Sequence, residues 1–440
     1  MPWVVVQDER LAGEDAAWLH MDRPSNPMVI TALLELDGVL GLPEIHAILE
    51  RRLLRFDRFR QRVVEPHLGG APSWRLDPDF QLARHVVRHR LDSRADAELR
   101  AAIDRVVSTP LDRGHPPWEL HVFERPEGGT LLLARIHHAI ADGFALLGVL
   151  LSLCDDAAPE PEARTPTRWS TRLRAAAAEV GARVVQPQRL LRDAALGGRW
   201  LRSAARLLLL LPDRASPLRG PLGPRKSVAW SRAFALDPIR AAAHRSGATI
   251  NDVLVAALAG GLRRYLARSG AAVHDVRAMI PVNLRDLRAS VGLGNRFGLV
   301  VLSLPLSVAA PSARLHEVKR RMDALKRSAE AQVGMAIVAA MGLAPRGLES
   351  LGVRFFSAKA SAVLTNVPGP RAAVRIGGRT VSRMLFWVPQ SGDLALGLSI
   401  FSYAGAVTLG VMADAGRVPE PARLVADIEE ALELAIEGSA

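Results

Sequence analysis

Cysteine is almost absent from this 440-residue chain, since Cys154 is the one residue of its type. A single thiol forms no internal disulfide, so we expect a cytosolic compartment. No run of about 18 apolar residues occurs, which is the length that a transmembrane helix requires. The first twenty residues contain four acidic side chains and no apolar core, so no secretory signal is expected. Aromatic residues make up 5% of the chain and no recognised nucleic-acid module is present, so nucleic acid is not an expected partner.

Apolar residues, by contrast, are plentiful. Hydrophobic residues make up 49% of the chain and charged residues 23%, as in a globular protein with a substantial core. The length suffices for two large domains. The net charge of +12 is unevenly distributed, because residues 161–230 contain 14 basic and 4 acidic side chains. The excess of positive charge therefore belongs to one segment of a chain that is otherwise close to neutral.

Two stretches of the chain have similar patterns. Residues 1–155 alternate strand patterns, such as VITALLEL and TLLLARI, with helical ones, such as DAELRAAIDRVV. Turn-rich breaks follow at DDAAPEPEARTP and SPLRGPLGPRKS, and a second series of strands and helices begins near residue 228. We predict an α/β (α+β) fold of two lobes with a cleft between them. The predicted division is 1–155 for the first lobe, 156–226 for a basic helical linker and 227–440 for the second lobe.

The segment LLLARIHHAIADG (131–143) contains the strongest candidate for chemistry. An apolar strand pattern ends in His137 and His138, and Asp142 and Gly143 precede a further apolar run. One interpretation is structural: the histidines are ordinary strand-end residues, and Asp142 caps the helix that follows. The other is catalytic, because an imidazole held rigidly at a cleft is well suited to proton transfer near neutral pH. The motif alone leaves both interpretations open.

Two other kinds of site find no support in this motif. Adjacent histidines point in different directions, and neither an HExxH spacing nor a Cys or Glu cluster accompanies them, so no metal is expected. A serine hydrolase is not indicated, because no G-x-S-x-G elbow occurs in the chain.

HHAIADG matches the HHxxxDG signature of the coenzyme-A-dependent acyltransferases related to chloramphenicol acetyltransferase and to peptide-synthetase condensation domains. Further segments, in order along nearly the whole chain, resemble the bacterial wax ester synthase/diacylglycerol acyltransferase family. They are LAGEDAAWLHMDRPSNPM (11–28), PLDRGHPPWELHVFE (110–124), SPLRGPLGPRK, TINDVLVAALAGGLRRYL, IPVNLR with LGNRFG, and TNVPGP. Pro117 stands where the family usually has leucine. The resemblance implies two chloramphenicol-acetyltransferase-like lobes that form a pseudo-dimer around the cleft, joined by an Arg-rich helical linker.

The same resemblance implies an O-acyltransferase. It would move a long-chain fatty acyl group from acyl-CoA to diacylglycerol, giving triacylglycerol, or to a long-chain alcohol, giving a wax ester. Acyl-CoA is then a substrate, and no cofactor is expected. Two alternatives are a related enzyme that esterifies another hydroxyl acceptor and a non-catalytic protein of the same fold that binds lipid surfaces. The intact motif argues against the second, since a binding protein has no evident use for His138.

The expected catalytic roles fall on the motif. By the resemblance, His138 is the general base that takes the acceptor's hydroxyl proton, and His137 supports it. Asp142 is expected to orient the loop by pairing with Arg285 of the second lobe, and Gly143 to leave room in the cleft.

Other polar residues are expected to support the site or bind substrate. They are Asn251, Asp252, Asn283, Arg285 and Asn295. Asn251 and Asp252 suit equally well the cap of a helix that begins at TIND. For Asn366 we predict a turn, because proline and glycine follow closely.

The basic segment contains a predicted amphipathic helix, RLLRDAALGGRWLRSAARLLLLL (189–211). Arg192, Arg199, Arg202 and Arg206 fall on one face, leucines and alanines cluster on others, and Trp200 lies on a flank. One interpretation places this helix at an anionic membrane or lipid-droplet surface, with the protein peripherally bound to the inner face of the membrane. The alternative is a crossover helix that packs on the body and exposes a solvated arginine face.

Overall fold

The computed structural model describes residues 8–66, 72–93, 95–126, 128–155, 187–283, 293–295, 297–343, 346–390 and 392–438. The strands in these ranges are β1 (Glu9–Arg10), β2 (Val29–Leu36), β3 (Gln61–Val64), β4 (Ser73–Leu76), β5 (Val86–Arg90), β6 (Trp118–Glu124), β7 (Thr130–His137), β8 (Lys226–Trp230), β9 (Phe234–Ala235), β10 (Val276–Asn283), β11 (Phe297–Leu304), β12 (Ala362–Pro368), β13 (Arg375–Ile376), β14 (Arg379–Trp387), β15 (Leu396–Tyr403) and β16 (Ala406–Asp414).

The helices in the same ranges are α1 (Gly13–Met21), α2 (Leu42–Ile48), α3 (Leu82–His85), α4 (Asp96–Val107), α5 (Gly143–Ser152), α6 (Pro187–Leu209), α7 (Leu236–Arg245), α8 (Ile250–Arg268), α9 (Pro311–Lys326), α10 (Glu330–Leu343), α11 (Arg346–Ser357) and α12 (Pro421–Glu437). A π-helical turn (Leu49–Leu53) continues α2, and a 3₁₀ turn (Asp57–Arg60) precedes β3. Within the described ranges, none of the helices combines the length and the apolar character needed to span a bilayer.

Strands β2 and β7 lie at the centre of a sheet with the order β13-β14-β2-β7-β6-β5. Both are mostly apolar and are buried along nearly their whole length, as expected of strands covered on both faces. They pair antiparallel in a register that sets Val29 opposite His137. The motif histidines therefore lie at the end of a rigid strand that is covered on both faces, and His137 is the last residue of this strand.

A second sheet has the order β11-β10-β12-β15-β16-β8, and β9 also pairs with β16. Strand β12 runs parallel to both β10 and β15, whereas β11, β16, β8 and β9 pair antiparallel with their neighbours. Strands β10, β11 and β12 contribute Met279, Leu299 and Val363 to the cavity described below. A small third sheet, β1-β4-β3, lies in the first lobe.

The two sheets do not follow the predicted boundary at residue 227. Strand β14 comes late in the chain but pairs antiparallel with β2, so it covers what would otherwise be an exposed edge of the first sheet. A shared apolar cluster joins the lobes, with Phe123 and Leu133 from the first and Trp230, Trp387 and Met412 from the second half of the chain. The lobes are thus held together by a common core. The division of the chain into three segments otherwise stays a prediction.

Most predicted elements are confirmed, and one is split. DAELRAAIDRVV forms α4 with the predicted bounds, and VITALLEL forms β2. The first strand of the second series, which begins near residue 228, is split into β8 and β9, because residues 231–233 oppose only residues 408–409 of β16. The extra residue makes a bulge, in which Ser231 Oγ accepts the N–H of Leu409 at 2.9 Å. The helix predicted over 189–211 is present from 187 to 209, and the part of the basic segment before residue 187 lies outside the described residues.

Helix α10 packs against β11 at unusually short range. A Cβ on Gly334 would lie 2.2 Å from the carbonyl oxygen of Leu299, and one on Gly298 would lie 1.8 Å from that of Ala331. Only glycine permits this approach, since real Cβ atoms do not come so near to backbone oxygens. The close contact fixes the position of Leu299, which lines the site.

We expect Gly334→Ala to lower the apparent Tm, because the added methyl forces α10 away from β11 at a cost of about 1–3 kcal/mol. Gly197→Ala is the matched control: it is also a helical glycine, but no atom lies within 4 Å of its added Cβ. That control should raise stability by roughly 0.5–1 kcal/mol through helix propensity. Thermal unfolding of both variants checks this, and equal effects of the two substitutions would contradict the packing argument.

Candidate active site

His138 is held on three sides. Its backbone N–H donates to the carbonyl oxygen of Met28 at 2.8 Å, which ties it to the start of β2. Its ring stacks on Trp18 of α1 with centroids 3.9 Å apart and planes inclined by 15°. The ring of Phe297 on β11 is the third neighbour, with its centroid 5.8 Å from that of the imidazole. Only 8% of the residue is exposed, so the imidazole has a fixed orientation in an almost dry environment.

The side-chain amide of Asn295 determines which ring nitrogen of His138 carries the proton. Asn295 Nδ2 donates to Asp15 Oδ1 and to the carbonyl oxygen of His138, both at 2.8 Å. Its Oδ1 therefore faces His138 Nδ1, at 2.9 Å. An amide oxygen only accepts, so Nδ1 carries the ring proton and Nε2 carries the lone pair. Since His138 lines the cavity and Nδ1 is engaged, Nε2 is the nitrogen available to a substrate.

Burial lowers the pKa of His138 to about 4, because a charged imidazolium is poorly solvated there. The negative charge of Asp142 opposes this effect, as does the hydrogen bond to Asn295, while the neighbouring His137 reinforces it. The ring is therefore neutral at physiological pH and able to accept a proton. The Asp142 carboxylate then stabilises the imidazolium that forms.

His137 has the opposite arrangement, which suits the predicted supporting role. Its Nδ1 accepts the backbone N–H of Ala139 at 3.0 Å, so its proton lies on Nε2, 3.8 Å from Asp22 Oδ1. Burial alone would raise the pKa of Asp22, but its interactions with His137, Arg113 and the backbone N–H of Met28 outweigh it and hold that pKa well below its usual range. These contacts shape the turn after β7. They leave His138 as the histidine that faces the cavity.

Asp142 caps helix α5, as the structural interpretation predicted. Its Oδ1 accepts the backbone N–H of Ala145 at 2.9 Å, and the residue is 4% exposed. The loop between His138 and Asp142 also pairs with the second half of the chain, since the N–H of Gly294 donates to the carbonyl oxygen of Ile140 at 3.0 Å. Arg285, the predicted partner of Asp142, lies outside the described residues, so that pairing stays a prediction. Capping and electrostatic support of His138 are compatible at one position.

The ring of His138 opens on a cavity of about 840 Å³ between the lobes. Asp142, Gly143, Asn283 and Asn366 also line it, so several of the predicted residues come together here. Nothing lies within 4 Å of a Cβ added to Gly143, so its role of leaving space stays a prediction. Most of the remaining wall is apolar, formed by Trp18, Ile30, Phe144, Met279, Pro281, Phe297, Leu299, Val363, Val367, Phe386, Val388, Pro389 and Ile400.

A second cavity of about 700 Å³ adjoins the first, and Trp18, Met279 and Leu299 line both. Its wall is almost wholly apolar and includes Leu207 of α6 and Phe356 of α11. Together the two spaces offer an extended apolar volume with one titratable ring at its polar end. Such a volume is suited to long hydrocarbon chains.

Asn251 and Asp252, which are neighbours in the predicted supporting set, behave differently. Asn251 Oδ1 accepts from Asn366 Nδ2 at 2.7 Å, beside the cavity. Asp252 is fully buried and forms a capping box with Thr249, whose N–H donates to Asp252 Oδ2 at 2.9 Å. Its role is therefore capping of α8. The turn predicted at Asn366 is wrong: the residue lies within β12, because β12 continues its pairing with β15 as far as Pro368.

Two residues of this site were not singled out from the sequence. Asp15 and Trp18 are three apart on α1, so both project from one face of the helix towards His138. The spacing of a buried acid and an aromatic residue on a short helix was the available signal. In the described part of the chain, no three His, Cys, Asp or Glu side chains group as metal ligands would.

The two-lobed α/β architecture, with a histidine motif at the interface, defines the class of protein. The first condensation domain of the CDA synthetase has the same fold, with a TM-score of 0.63 at 18% identity over 99% of this chain and 98% of that one. The wax ester synthase/diacylglycerol acyltransferase from Marinobacter aquaeolei VT8 gives a TM-score of 0.69 at 20% identity, covering 98% of this chain and 99% of that one. These likenesses confirm the predicted α/β pseudo-dimer fold.

Sequence comparison gives the family. The model of the wax ester synthase/diacylglycerol acyltransferase catalytic domain matches residues 11–254, and that of the WS/DGAT C-terminal domain matches residues 293–435. Two Mycobacterium tuberculosis proteins, provisionally named as diacylglycerol O-acyltransferases, are 28% and 30% identical to this chain. The alignments cover 98% and 92% of this chain and 91% and 92% of the relatives. The chain belongs to the wax ester synthase/diacylglycerol acyltransferase family and is an acyltransferase, as the motifs predicted.

The lowered pKa of His138 makes stability depend on pH. An unfolded histidine titrates near 6.5, whereas folded His138 titrates at about 4, so the unfolded state alone takes up a proton between these values. Stability from this residue is therefore lost as pH falls through that window. We expect His138→Gln to reduce the drop in Tm between about pH 7.5 and about pH 5.

The control for this experiment is His316→Gln, which replaces an exposed imidazole on α9. Thermal unfolding at both pH values should leave the control with the same drop in Tm as the parent protein. An unchanged drop in His138→Gln would contradict the neutral, buried state of that ring.

Proposed function

We propose that this protein transfers a long-chain fatty acyl group from acyl-CoA to the hydroxyl group of diacylglycerol or of a long-chain alcohol, with His138 as the general base. One observation carries the proposal: the lone pair of His138 Nε2 faces an apolar cavity large enough for hydrocarbon chains. The family membership and the names of the relatives support the diacylglycerol acceptor in particular.

The reaction needs no covalent enzyme intermediate and no cofactor. His138 Nε2 takes the proton of the acceptor hydroxyl while its oxygen attacks the thioester carbonyl, forming the new C–O bond. The carbonyl π electrons move to the oxygen and return as the C–S bond breaks. The leaving CoA thiolate then takes the proton from the imidazolium, so the base is regenerated. The carboxylate of Asp142 stabilises the imidazolium between these steps.

The apolar walls support lipid substrates for two reasons. They give alkyl chains a favourable environment, at about 25 cal/mol per Å² of apolar surface removed from water. They also exclude water, which would otherwise hydrolyse the thioester. Trp18, which stacks on His138, lines the second cavity as well as the first, so the second cavity extends the space available to a bound chain.

One assay distinguishes the proposal from its alternatives. With palmitoyl-CoA as donor, we expect CoA release when diolein or hexadecanol is added and none without acceptor. His138→Ala should abolish turnover while circular dichroism remains close to that of the parent, because the pairing of β7 with β2 runs through the backbone and not through this ring. Absence of release with both acceptors would reject the proposal and favour another acceptor or a non-catalytic lipid-binding protein.

We further propose that α6 binds a lipid surface. The inner face of α6 packs on the body through Ser203 and Leu207, which are buried. Its outer side carries a leucine ridge, defined here as Leu201, Leu208, Leu209 and Leu211, with exposed fractions of 74%, 52%, 78% and 75%. Leucines so exposed and so close together mark an interaction surface.

Charge beside the ridge favours an anionic membrane as the partner. Arg199 and Arg202 are exposed, whereas Arg206 bonds to buried Glu330, so it does not belong to a freely solvated face. The side chain of Arg192 lies outside the described part of the chain. Leu207 on the inner face of α6 lines the second cavity. The thickness of this one helix therefore separates the ridge from the apolar interior. Acceptor lipids in a bilayer would thus lie close to the cavity.

Flotation with vesicles of phosphatidylcholine and phosphatidylglycerol tests the ridge. We expect binding at low salt that weakens as salt rises, and loss of binding in the triple variant Leu201→Ser, Leu208→Ser, Leu209→Ser. Leu434→Ser on α12 is the control, since it removes another exposed leucine (38%) far along the chain and should leave flotation unchanged. Parent protein that stays in the soluble fraction at low salt would refute the membrane proposal without affecting the catalytic one.

A further inference from the structure

Helix α1 reaches the site with two side chains one turn apart. Trp18 stacks on His138, and Asp15, the third residue of the helix, bonds to Asn295. Asp15 Oδ1 accepts both the side-chain Nδ2 of Asn295, at 2.8 Å, and its backbone N–H, at 2.9 Å. Asp15 is 7% exposed, so this carboxyl lies in the interior beside the catalytic ring without touching it.

The acceptors around Asn295 permit one orientation of its amide. Among the described residues, its Nδ2 has two oxygen acceptors, on Asp15 and on the backbone of His138, and its Oδ1 has one donor, His138 Nδ1. A rotated amide would set Oδ1 against these two oxygens with no proton between them, at the cost of an unsatisfied buried polar group. The orientation of the amide in turn requires the proton of His138 to lie on Nδ1.

We propose that Asp15 is a positioning residue: acting through Asn295, its carboxylate holds His138 in the tautomer that presents the Nε2 lone pair to the acceptor hydroxyl. This inference rests on the proposed role of His138 as general base. Asp15 itself touches neither substrate nor the reacting atoms. Its contribution is to keep the base in its competent form, as carboxylates do behind other functional histidines.

An ionised carboxylate suits this task, because it only accepts hydrogen bonds. The start of α1 favours negative charge, and Arg58 lies near enough to favour it too, whereas Glu14 on the same turn opposes it. Burial nevertheless raises the pKa of Asp15 to about 6. Protonated Asp15 could donate as well as accept, and the amide of Asn295 would then lose its single orientation.

The pH dependence of kcat should therefore distinguish the effect of Asp15 from the effects of Asp142 and His137, the groups that face His138. We expect kcat of the parent protein to fall as pH decreases through about 6, above the value of about 4 at which His138 itself takes up a proton. In Asp15→Asn this descent should move to lower pH, because the titrating carboxyl is gone.

Steady-state kinetics of three variants tests the proposal directly. Asp15→Leu removes the acceptor at similar volume and should lower kcat about 10- to 100-fold with little change in KM for palmitoyl-CoA. Asp15→Asn keeps an acceptor oxygen without the charge and should fall between Asp15→Leu and the parent. Glu14→Gln is the matched control, since it removes a negative charge from the same helical turn; it should leave kcat at neutral pH unchanged and move the descent only slightly to lower pH, because Glu14 opposes the ionisation of Asp15.

The tautomer provides a readout that a merely structural role would not move. Nitrogen-15 NMR of histidine-labelled protein, with the His138 signals assigned from their loss in His138→Ala, should find the proton on Nδ1 in the parent and a mixture of tautomers in Asp15→Leu. An unchanged tautomer and an unchanged kcat in Asp15→Leu would overturn the inference. If His138→Ala also remained active, the proposed general base would be wrong as well, so the two failures are distinguishable.

Discussion

The geometry of the site depends on the hydrogen bonds of the Asn295 side-chain amide. It bonds at one end to His138, which follows the central strand of the first sheet, and at the other to Asp15 of α1, while its own backbone belongs to the second half of the chain. Three separate parts of the sequence therefore meet at one side chain. They meet because the lobes share a core, in which Trp230 and Trp387 pack edge to face. A site built across that interface exists only when the two lobes are docked.

Burial of His138 has opposing consequences for the proposed reaction. A dry, apolar cavity would suit fatty acyl chains and protect a thioester, yet burial weakens the imidazole as a base by lowering its pKa. The neighbouring Asp142 carboxylate offsets part of that loss, and its effect is strong because little water screens it. The outer surface of α6 is also apolar, at the leucine ridge. Leu207 on the inner face of the same helix lines the second cavity. A lipid acceptor could pass from a membrane to the base while meeting few polar groups.

Local patterns predicted what is decided locally. The doubly buried strand β7, the helix after Asp142 and the histidine at the strand end all follow from runs of apolar residues and a capping side chain. The pairing of β14 with β2 and the contact of Asp15 with Asn295 join residues that are hundreds of positions apart, and no local periodicity encodes them. Asn366 was misjudged because Pro368 and Gly369 suggest a turn, whereas pairing with β15 keeps the chain extended. The pairing of Asp142 with Arg285 remains a prediction.

In the proposed reaction the acceptor hydroxyl, deprotonated by His138, attacks the thioester directly. A rapid-quench experiment with labelled palmitoyl-CoA and stoichiometric enzyme tests this direct attack without any variant. We expect no early burst of CoA in the absence of acceptor and no label on the denatured protein, followed by label in the ester alone when diolein is added. A burst equal to the enzyme concentration, with palmitate bound covalently to the protein, would contradict it.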